Sequence, residues 1–176
     1  MKKIKKIFKY ILGFISLVVL VFFSFGILTP SIDYDTKIAV SKSAETSFKT
    51  FTDVMKLSDW VPGFKGVKLL SGQQLVVGTT IEVTVEQEGK TYVLLQEITG
   101  IKENELVEFT LSNNMLSNDC KIRFEKFADH TDIIASDHIQ GKNIFWRALF
   151  AMDQSRFKKQ SAEMYARLKN VIEKSN

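Results

Sequence analysis

The fold is decided by the C-terminal stretch, which reads KNIFWRALFAMDQSRFKKQSAEMYARLKNVIEK over residues 142–174. No proline or glycine interrupts it. Its apolar residues recur mostly three or four positions apart: Phe145, Leu149, Met152, Phe157, Met164, Leu168 and Val171. That spacing places them along one side of an α-helix, and the stretch predicts a single helix of roughly 45–50 Å. Such a helix is stable only when another element covers its apolar side.

The residues before this stretch have the pattern of an antiparallel sheet. Six segments combine the length of a strand with apolar and β-branched residues: Lys65–Leu70, Gly78–Gln87, Lys90–Thr99, Glu105–Ser112, Asp119–Phe127 and Thr131–Gln140. Short turns containing glycine, asparagine or aspartate separate them. Apolar and polar residues alternate most clearly in the second and fifth segments, which predicts a meander with one apolar face and one face in water.

An opening strand and two short helices precede the meander. The strand is predicted over Thr36–Ser41, where apolar residues alternate with polar ones. Ser43 then has the side chain of a helix N-cap, and a second short helix ends near Trp60, before the turn at Pro62-Gly63. The predicted order is therefore one strand, two short helices, six strands and one long helix.

This order resembles the helix-grip fold of the START-like superfamily, also called SRPBCC, which includes polyketide cyclase/dehydrase and lipid-transport relatives. The resemblance covers roughly residues 34–173, and its local carriers are Ala44–Phe51 leading to Asp53, Trp60–Phe64 and Val77–Thr79. It implies an α+β domain in which a curved antiparallel sheet of about seven strands surrounds a long C-terminal helix. It also implies an apolar cavity between sheet and helix. The superfamily shares no catalytic set, so the resemblance assigns no catalytic residue.

The N-terminal region predicts a membrane anchor. Tyr10–Leu28 is nineteen residues without a charge, and as a helix it reaches about 28 Å, close to the thickness of bilayer hydrocarbon. Residues 1–9 form a basic tail, which predicts a cytoplasmic N-terminus and an extracytoplasmic domain. We expect residues 29–35 to be a short linker and residues 36–174 to be the START-like domain.

Two other interpretations of the N-terminal segment remain. A cleaved signal peptide would also begin with lysines, but the apolar run exceeds the usual 7–15 residues, and Ser24–Gly26 is the nearest match to a cleavage site. A buried core helix would also be apolar, although this segment is apolar on every side. The transmembrane helix is the interpretation that length and composition favour.

Charge and cysteine content exclude several classes of function. The first 28 residues hold five of the 24 basic residues and none of the 20 acidic ones, so the remainder has a net charge of −1. The domain therefore lacks the basic surface of a nucleic-acid-binding protein. Cys120 is the only cysteine, which excludes an internal disulfide and predicts a small buried residue in a strand. The sequence contains no phosphate-binding loop, no zinc-protease motif and no nucleophile elbow.

The candidate ligand site is the apolar face of the sheet together with the start of the long helix. We expect these residues to line the cavity: Trp60, Phe64, Ile81, Val83, Val85, Tyr92, Leu94, Phe109, Leu111, Ile122, Phe124, Asp137, Phe145, Leu149 and Met152. Pockets of this kind are mostly apolar with a few fixed polar groups, and Gln96 or Asp137 would supply such groups. Neighbouring residues in a strand point to opposite faces, so only one of Asp137 and His138 faces the cavity.

Three functional hypotheses follow. The first is a membrane-anchored domain that binds or transports an apolar or amphiphilic small molecule, such as a lipid or a polyketide-like compound. The second is a cyclase or hydrolase acting on a similar substrate, for which Asp137, Glu97 and His138 are the candidate acids and bases. The third is an interaction module of the cell envelope with a filled core. We expect no metal and no cofactor, because two histidines do not make a histidine-rich metal site.

Overall fold

The computed structural model describes the backbone of residues 2–175 and the side chains of residues 5–175. Five α-helices and seven strands follow one another in this order: α1 Lys2–Leu28, β1 Ser31–Val40, α2 Ala44–Thr52, α3 Leu57–Trp60, β2 Phe64–Ser71, β3 Thr80–Gln87, β4 Lys90–Lys102, β5 Leu106–Ser112, β6 Leu116–Lys126, β7 Thr131–Gly141, α4 Ile144–Met152 and α5 Gln154–Lys174. A 3₁₀ turn, Val54–Lys56, connects α2 to α3.

The seven strands form one antiparallel sheet in the order β1-β7-β6-β5-β4-β3-β2. Only β1 departs from sequential neighbours, because it pairs with β7 along its whole length. The register places the expected apolar residues on one side: Val83 opposite Leu94, Phe109 opposite Cys120, and Ile122 opposite Ala135. The α+β fold class, the seven strands and the apolar inner face predicted from the sequence are confirmed.

The core lies where α2 and the second half of α5 cover β1, β5, β6 and β7. It is built from these buried side chains: Val40, Ala44, Phe48, Phe51, Trp60, Val107, Ile122, Phe124, Ile133, Ala135, Tyr165, Leu168 and Ile172. Two polar contacts fix α5 on β1 and on Ser41, the residue that follows it. The hydroxyls of Thr36 and Ser161 are hydrogen-bonded at 2.8 Å, and Ser41 donates from its backbone and its side chain to the carboxylate of Glu173.

The C-terminal stretch is two helices, not the single predicted one. The break is at Asp153, whose backbone has φ −128° and ψ 40°. No proline or glycine causes it. The two halves share only a contact with β1, since α4 otherwise packs on α1 and the end of β7, whereas α5 otherwise packs on α2 and α3. Asn143 caps α4 by accepting a hydrogen bond from the backbone nitrogen of Trp146 at 3.1 Å.

The connection between α1 and the sheet is shorter than the predicted linker of residues 29–35. Strand β1 begins at Ser31, opposite Gln140, so only Thr29 and Pro30 separate it from α1. The side chains of Ile32 and Tyr34 point inward, in phase with the apolar residues of the expected strand. The sheet therefore starts directly at the end of α1.

Candidate functional site

An apolar cavity on the inner face lies beneath α4 and the start of α5. It has a volume of about 400 Å³, and we call it the α4 cavity. Its walls come from α4, α5, β3, β4 and the β5–β6 turn: Val85, Gln87, Tyr92, Leu94, Asn113, Met115, Leu116, Trp146, Leu149, Phe150, Asp153, Arg156, Phe157 and Gln160. Trp146 stacks on Phe150, and the edge of Phe157 contacts Phe150, so aromatic rings form the helical wall.

The second cavity lies between α2–α3 and strands β2 to β5. It has a volume of about 290 Å³, and we call it the α2 cavity. These residues line it: Phe51, Thr52, Val54, Leu57, Trp60, Val67, Leu69, Gln74, Leu75, Thr79, Ile81, Gln96, Ile98, Val107 and Phe109. Every titratable side-chain type is absent from this lining. Gln96 is a polar residue of strand β4 in this lining.

The structure distributes the expected apolar cavity residues among five environments. The α4 cavity takes Val85, Tyr92, Leu94 and Leu149, and the α2 cavity takes Trp60, Ile81 and Phe109. Phe64, Val83 and Leu111 lie on or beside the sheet but line neither cavity. Ile122 and Phe124 are in the packed core, and Phe145 and Met152 are exposed on the outer side of α4.

The placement of Ile122 and Phe124 corrects the expectation that they line a cavity. Phe124 contacts the rings of Phe48 and Phe51 of α2, with ring centroids 5.5 and 5.8 Å away. Ile122 is 1% exposed. Both side chains point inward as expected, but α2 covers Phe124, and Ile122 is packed within the same core. Phe145 and Met152 lie outside because α4 turns its other side toward the sheet.

Asp137 is the centre of a polar cluster on the inner face. One of its carboxylate oxygens accepts hydrogen bonds from the side-chain nitrogen of Asn118 at 2.7 Å and from the thiol of Cys120 at 3.2 Å. Burial raises the pKa of Asp137, and the hydrogen bonds from Asn118 and Cys120 act in the opposite direction. Burial also raises the pKa of the Tyr34 and Tyr165 hydroxyls, with a further contribution from the nearby Asp137. The cluster thus favours neutral side chains.

The other candidate acids and bases lie outside the fold's inner face. Glu97 is exposed, and it pairs with Thr80 and Thr110 on the outer side of the sheet. His138 is also exposed and contacts the carboxylate of Asp33 at 2.6 Å. Of the pair Asp137 and His138, the aspartate is therefore the inward one. Among the residues whose side chains are described, no cluster of histidine, cysteine and carboxylate groups is arranged to hold a metal ion.

Several cavity residues were not expected from the sequence. Leu69 and Leu75 line the α2 cavity although they are 55% and 37% exposed. The run Leu75–Val77 lies in a turn between two glycines of positive φ, Gly72 and Gly78. Turns are usually polar, so three consecutive apolar residues in this turn could have indicated from the sequence that the turn lies against an apolar surface.

Helix α1 joins the domain beside the α4 cavity. Gly26 is buried against α4, and a Cβ atom there would lie 2.6 Å from the carbonyl oxygen of Ile144 and 2.9 Å from the backbone nitrogen of Ala148. One turn earlier, the ring of Phe22 contacts that of Phe145, with centroids 5.7 Å apart. Residues 5–21 are exposed throughout. Length and composition make α1 a candidate membrane span, and this exposure shows that it is not a core helix.

Comparison with solved structures agrees with this architecture. The crystal structure of a Thermus thermophilus protein superposes with a TM-score of 0.66 at 11% identity, covering 80% of this chain and 96% of that one. The chain has the helix-grip fold. Ara h 8.0201 gives a TM-score of 0.64 at 17% identity over 81% and 97% of the two chains, and the Zhui aromatase/cyclase from Streptomyces gives 0.64 at 12% over 80% and 93%. No protein-family profile matches the sequence, and no curated protein is significantly similar to it.

Proposed function

We propose that the protein is a membrane-anchored domain that binds or transports an apolar or amphiphilic small molecule, and that the α4 cavity is the binding site. The observation that carries the proposal is this cavity of about 400 Å³, since sites for small molecules have volumes of roughly 300–1,000 Å³ and mostly apolar walls. An apolar ligand would be stabilised there by removal of its surface from water. The gain is roughly 25 cal/mol for each Å² removed.

The chemistry of the walls supports binding more than catalysis. Tyr92, Asp153 and Arg156 are the titratable groups of the α4 cavity. Arg156 donates to the carboxylate of Glu88 at 2.7 Å, and both Arg156 and Asp153 are exposed to solvent. A general acid or base usually has its pKa shifted by burial or by a charged neighbour. Asp137 is the inward carboxyl with a raised pKa, and it lines neither the α4 nor the α2 cavity.

The location proposed for the domain is the extracytoplasmic side of a membrane. The five lysines of residues 1–9, with no acidic residue before Asp33, favour a cytoplasmic N-terminus under the positive-inside rule. The contact of Gly26 with α4 supports retention of α1 as an anchor, because cleavage as a signal peptide would expose the apolar side of α4 that α1 covers. The partner of the domain would then be the bilayer beside it.

Native mass spectrometry of the full chain, incubated with a long-chain fatty acid and released from nanodiscs, tests the proposal. Leu94 lines the α4 cavity, whereas Val93 is 48% exposed on the opposite face of the same strand. We expect wild type and Val93→Trp to retain one fatty acid, and Leu94→Trp to lose it because the indole fills the cavity. Absence of a bound fatty acid from wild type, or equal retention by both variants, would overturn the proposal.

A further inference from the structure

Besides the side that packs on the end of β7, helix α4 has three sides in different environments. At 100° per residue, Ile144 and Ala148 share the side that meets Gly26 of α1, and Trp146 and Phe150 share the side that lines the α4 cavity. A third stripe, at the spacing i, i+4 and i+7, consists of Phe145, Leu149 and Met152, which are 47%, 40% and 61% exposed; the ring of Phe145 also contacts Phe22 of α1 at its edge of the stripe. We call this stripe the outer face of α4. It is apolar along the whole helix.

The contact with α1 gives the depth at which this outer face lies. Phe22 and Gly26, two of the residues of α1 that meet α4, are six and two residues before the end of α1 at Leu28. At 1.5 Å per residue they lie about 3–9 Å inside the end of the span. Interfacial amphipathic helices bury their apolar face about 5–10 Å into the boundary between headgroups and acyl chains. The two depths agree.

The end of the sheet that lies beside α4 is also the end at which the chain passes from α1 into β1. Ser31 pairs with Gln140 at this end, and the backbone of Lys142 donates to the carbonyl of Met115 at 2.8 Å. The opposite end, where Val40 pairs with Thr131, is about 30 Å away along the ten residues of β1. The two-residue connection Thr29-Pro30 allows little separation of the near end from the bilayer surface.

We propose that α4 is a second membrane-contacting helix, whose outer face lies among the acyl chains of the adjacent leaflet while its inner side forms a wall of the α4 cavity. Leu149 belongs to both the outer face and the cavity lining. Because α4 lies at the depth of the acyl chains beside the end of α1, lipid covers its outer face. An apolar ligand passes between the bilayer and the α4 cavity beside Leu149 without crossing water. The inference rests on the proposed function for the ligand, whereas the lipid contact of α4 rests only on α1 as a membrane span.

Site-directed spin labelling of the full chain in phosphatidylcholine vesicles tests the lipid contact directly. Nitroxides are placed on cysteines introduced at Phe145 and Met152, and on matched controls at Phe127 and Val77, which are 46% and 57% exposed. Phe127 follows β6 at the end remote from α1, and Val77 precedes β3 at its end remote from α4. Cys120 is buried with a raised thiol pKa, so wild type takes up no label in the folded state.

The two pairs are expected to differ in which relaxation agent reaches them. Labels at positions 145 and 152 should be more accessible to oxygen, which concentrates in hydrocarbon, than to a water-soluble nickel chelate, and labels at 127 and 77 should show the reverse. The same oxygen-to-nickel ratio at all four positions would refute the lipid contact. This readout requires no ligand, so it is independent of whether the α4 cavity binds one.

A kinetic measurement tests the route of the ligand. Met152 lies on the outer face but does not line the α4 cavity. Met152→Asp should slow transfer of a fluorescent fatty acid from vesicles into the full chain by about tenfold, because a carboxylate is strongly disfavoured in hydrocarbon. Retention of the fatty acid at equilibrium, measured by native mass spectrometry, should equal that of Val77→Asp. Equal transfer rates for the two variants would overturn the route even if both retain the fatty acid.

Discussion

Replacing Gly26 by alanine should separate α4 from α1. The added Cβ would lie 2.6 Å from the carbonyl oxygen of Ile144 and 2.9 Å from the backbone nitrogen of Ala148. Neither backbone atom moves without the helix, so α4 must retreat by about 0.8 Å to restore ordinary contact. Overpacking of this kind costs about 1–3 kcal/mol. We therefore expect the equilibrium between docked and undocked α4 to change by about 5–150-fold.

Thiol crosslinking in vesicles measures this equilibrium. Cysteines replacing Phe22 and Phe145, whose rings are in contact, should crosslink rapidly in the parent chain and much more slowly when Gly26→Ala is added. Gly13→Ala is the matched control, because it makes the same change within α1 and its Cβ meets no atom within 4 Å. Equal crosslinking rates for the Gly26 and Gly13 variants would refute the close contact between α1 and α4.

Two further predictions concern stability. Burial raises the pKa of Asp137, so the folded state binds this proton more tightly than the unfolded state does. The bound proton therefore stabilises the folded state. This stabilisation is fully present below about pH 4 and is lost as the pH rises through the folded-state pKa. Asp137→Asn keeps an acceptor for Asn118 without the charge. Its free energy of unfolding should exceed that of wild type at pH 7, and the difference between the two should disappear toward pH 4. Denaturant titrations that show the same difference at both pH values would contradict this. Leu168 is fully buried, so Leu168→Ala should lower the free energy of unfolding by about 2–5 kcal/mol. The control is Lys169→Ala, on the exposed side of α5. If Leu168→Ala lowers the free energy of unfolding no more than this control does, Leu168 is not part of the core.

The strands and their inner face were predictable because side chains in a strand alternate with a period of two. Ile81, Val83 and Val85 all face inward as that period requires. The start of β1 at Ser31, before the expected Thr36, was also predictable, since Ile32 and Tyr34 continue the alternation of the strand. The aspartates between and after them resemble a polar linker, although they lie on the exposed side of the strand.

The break at Asp153 and the boundary between core and cavity were not predictable in the same way. No proline or glycine marks a break at Asp153, and the helix before it packs on Gly26 of α1, which is more than 100 residues away in the chain. The side chains of Ile122 and Leu94 both point inward, but the first is packed in the core and the second lines the α4 cavity. The direction in which a side chain points follows from the local periodicity of the sequence. Whether the space above that side chain is filled or empty depends on contacts between elements that are distant in the chain.

The most direct test of the central claim is anomalous diffraction from crystals of the full chain grown with a bromine-labelled fatty acid. We expect the bromine between α4 and β4, in contact with Trp146 and Leu94 on opposite walls of the α4 cavity. Bromine found only along the exposed surface of α1, with the α4 cavity closed by side chains, would contradict the account.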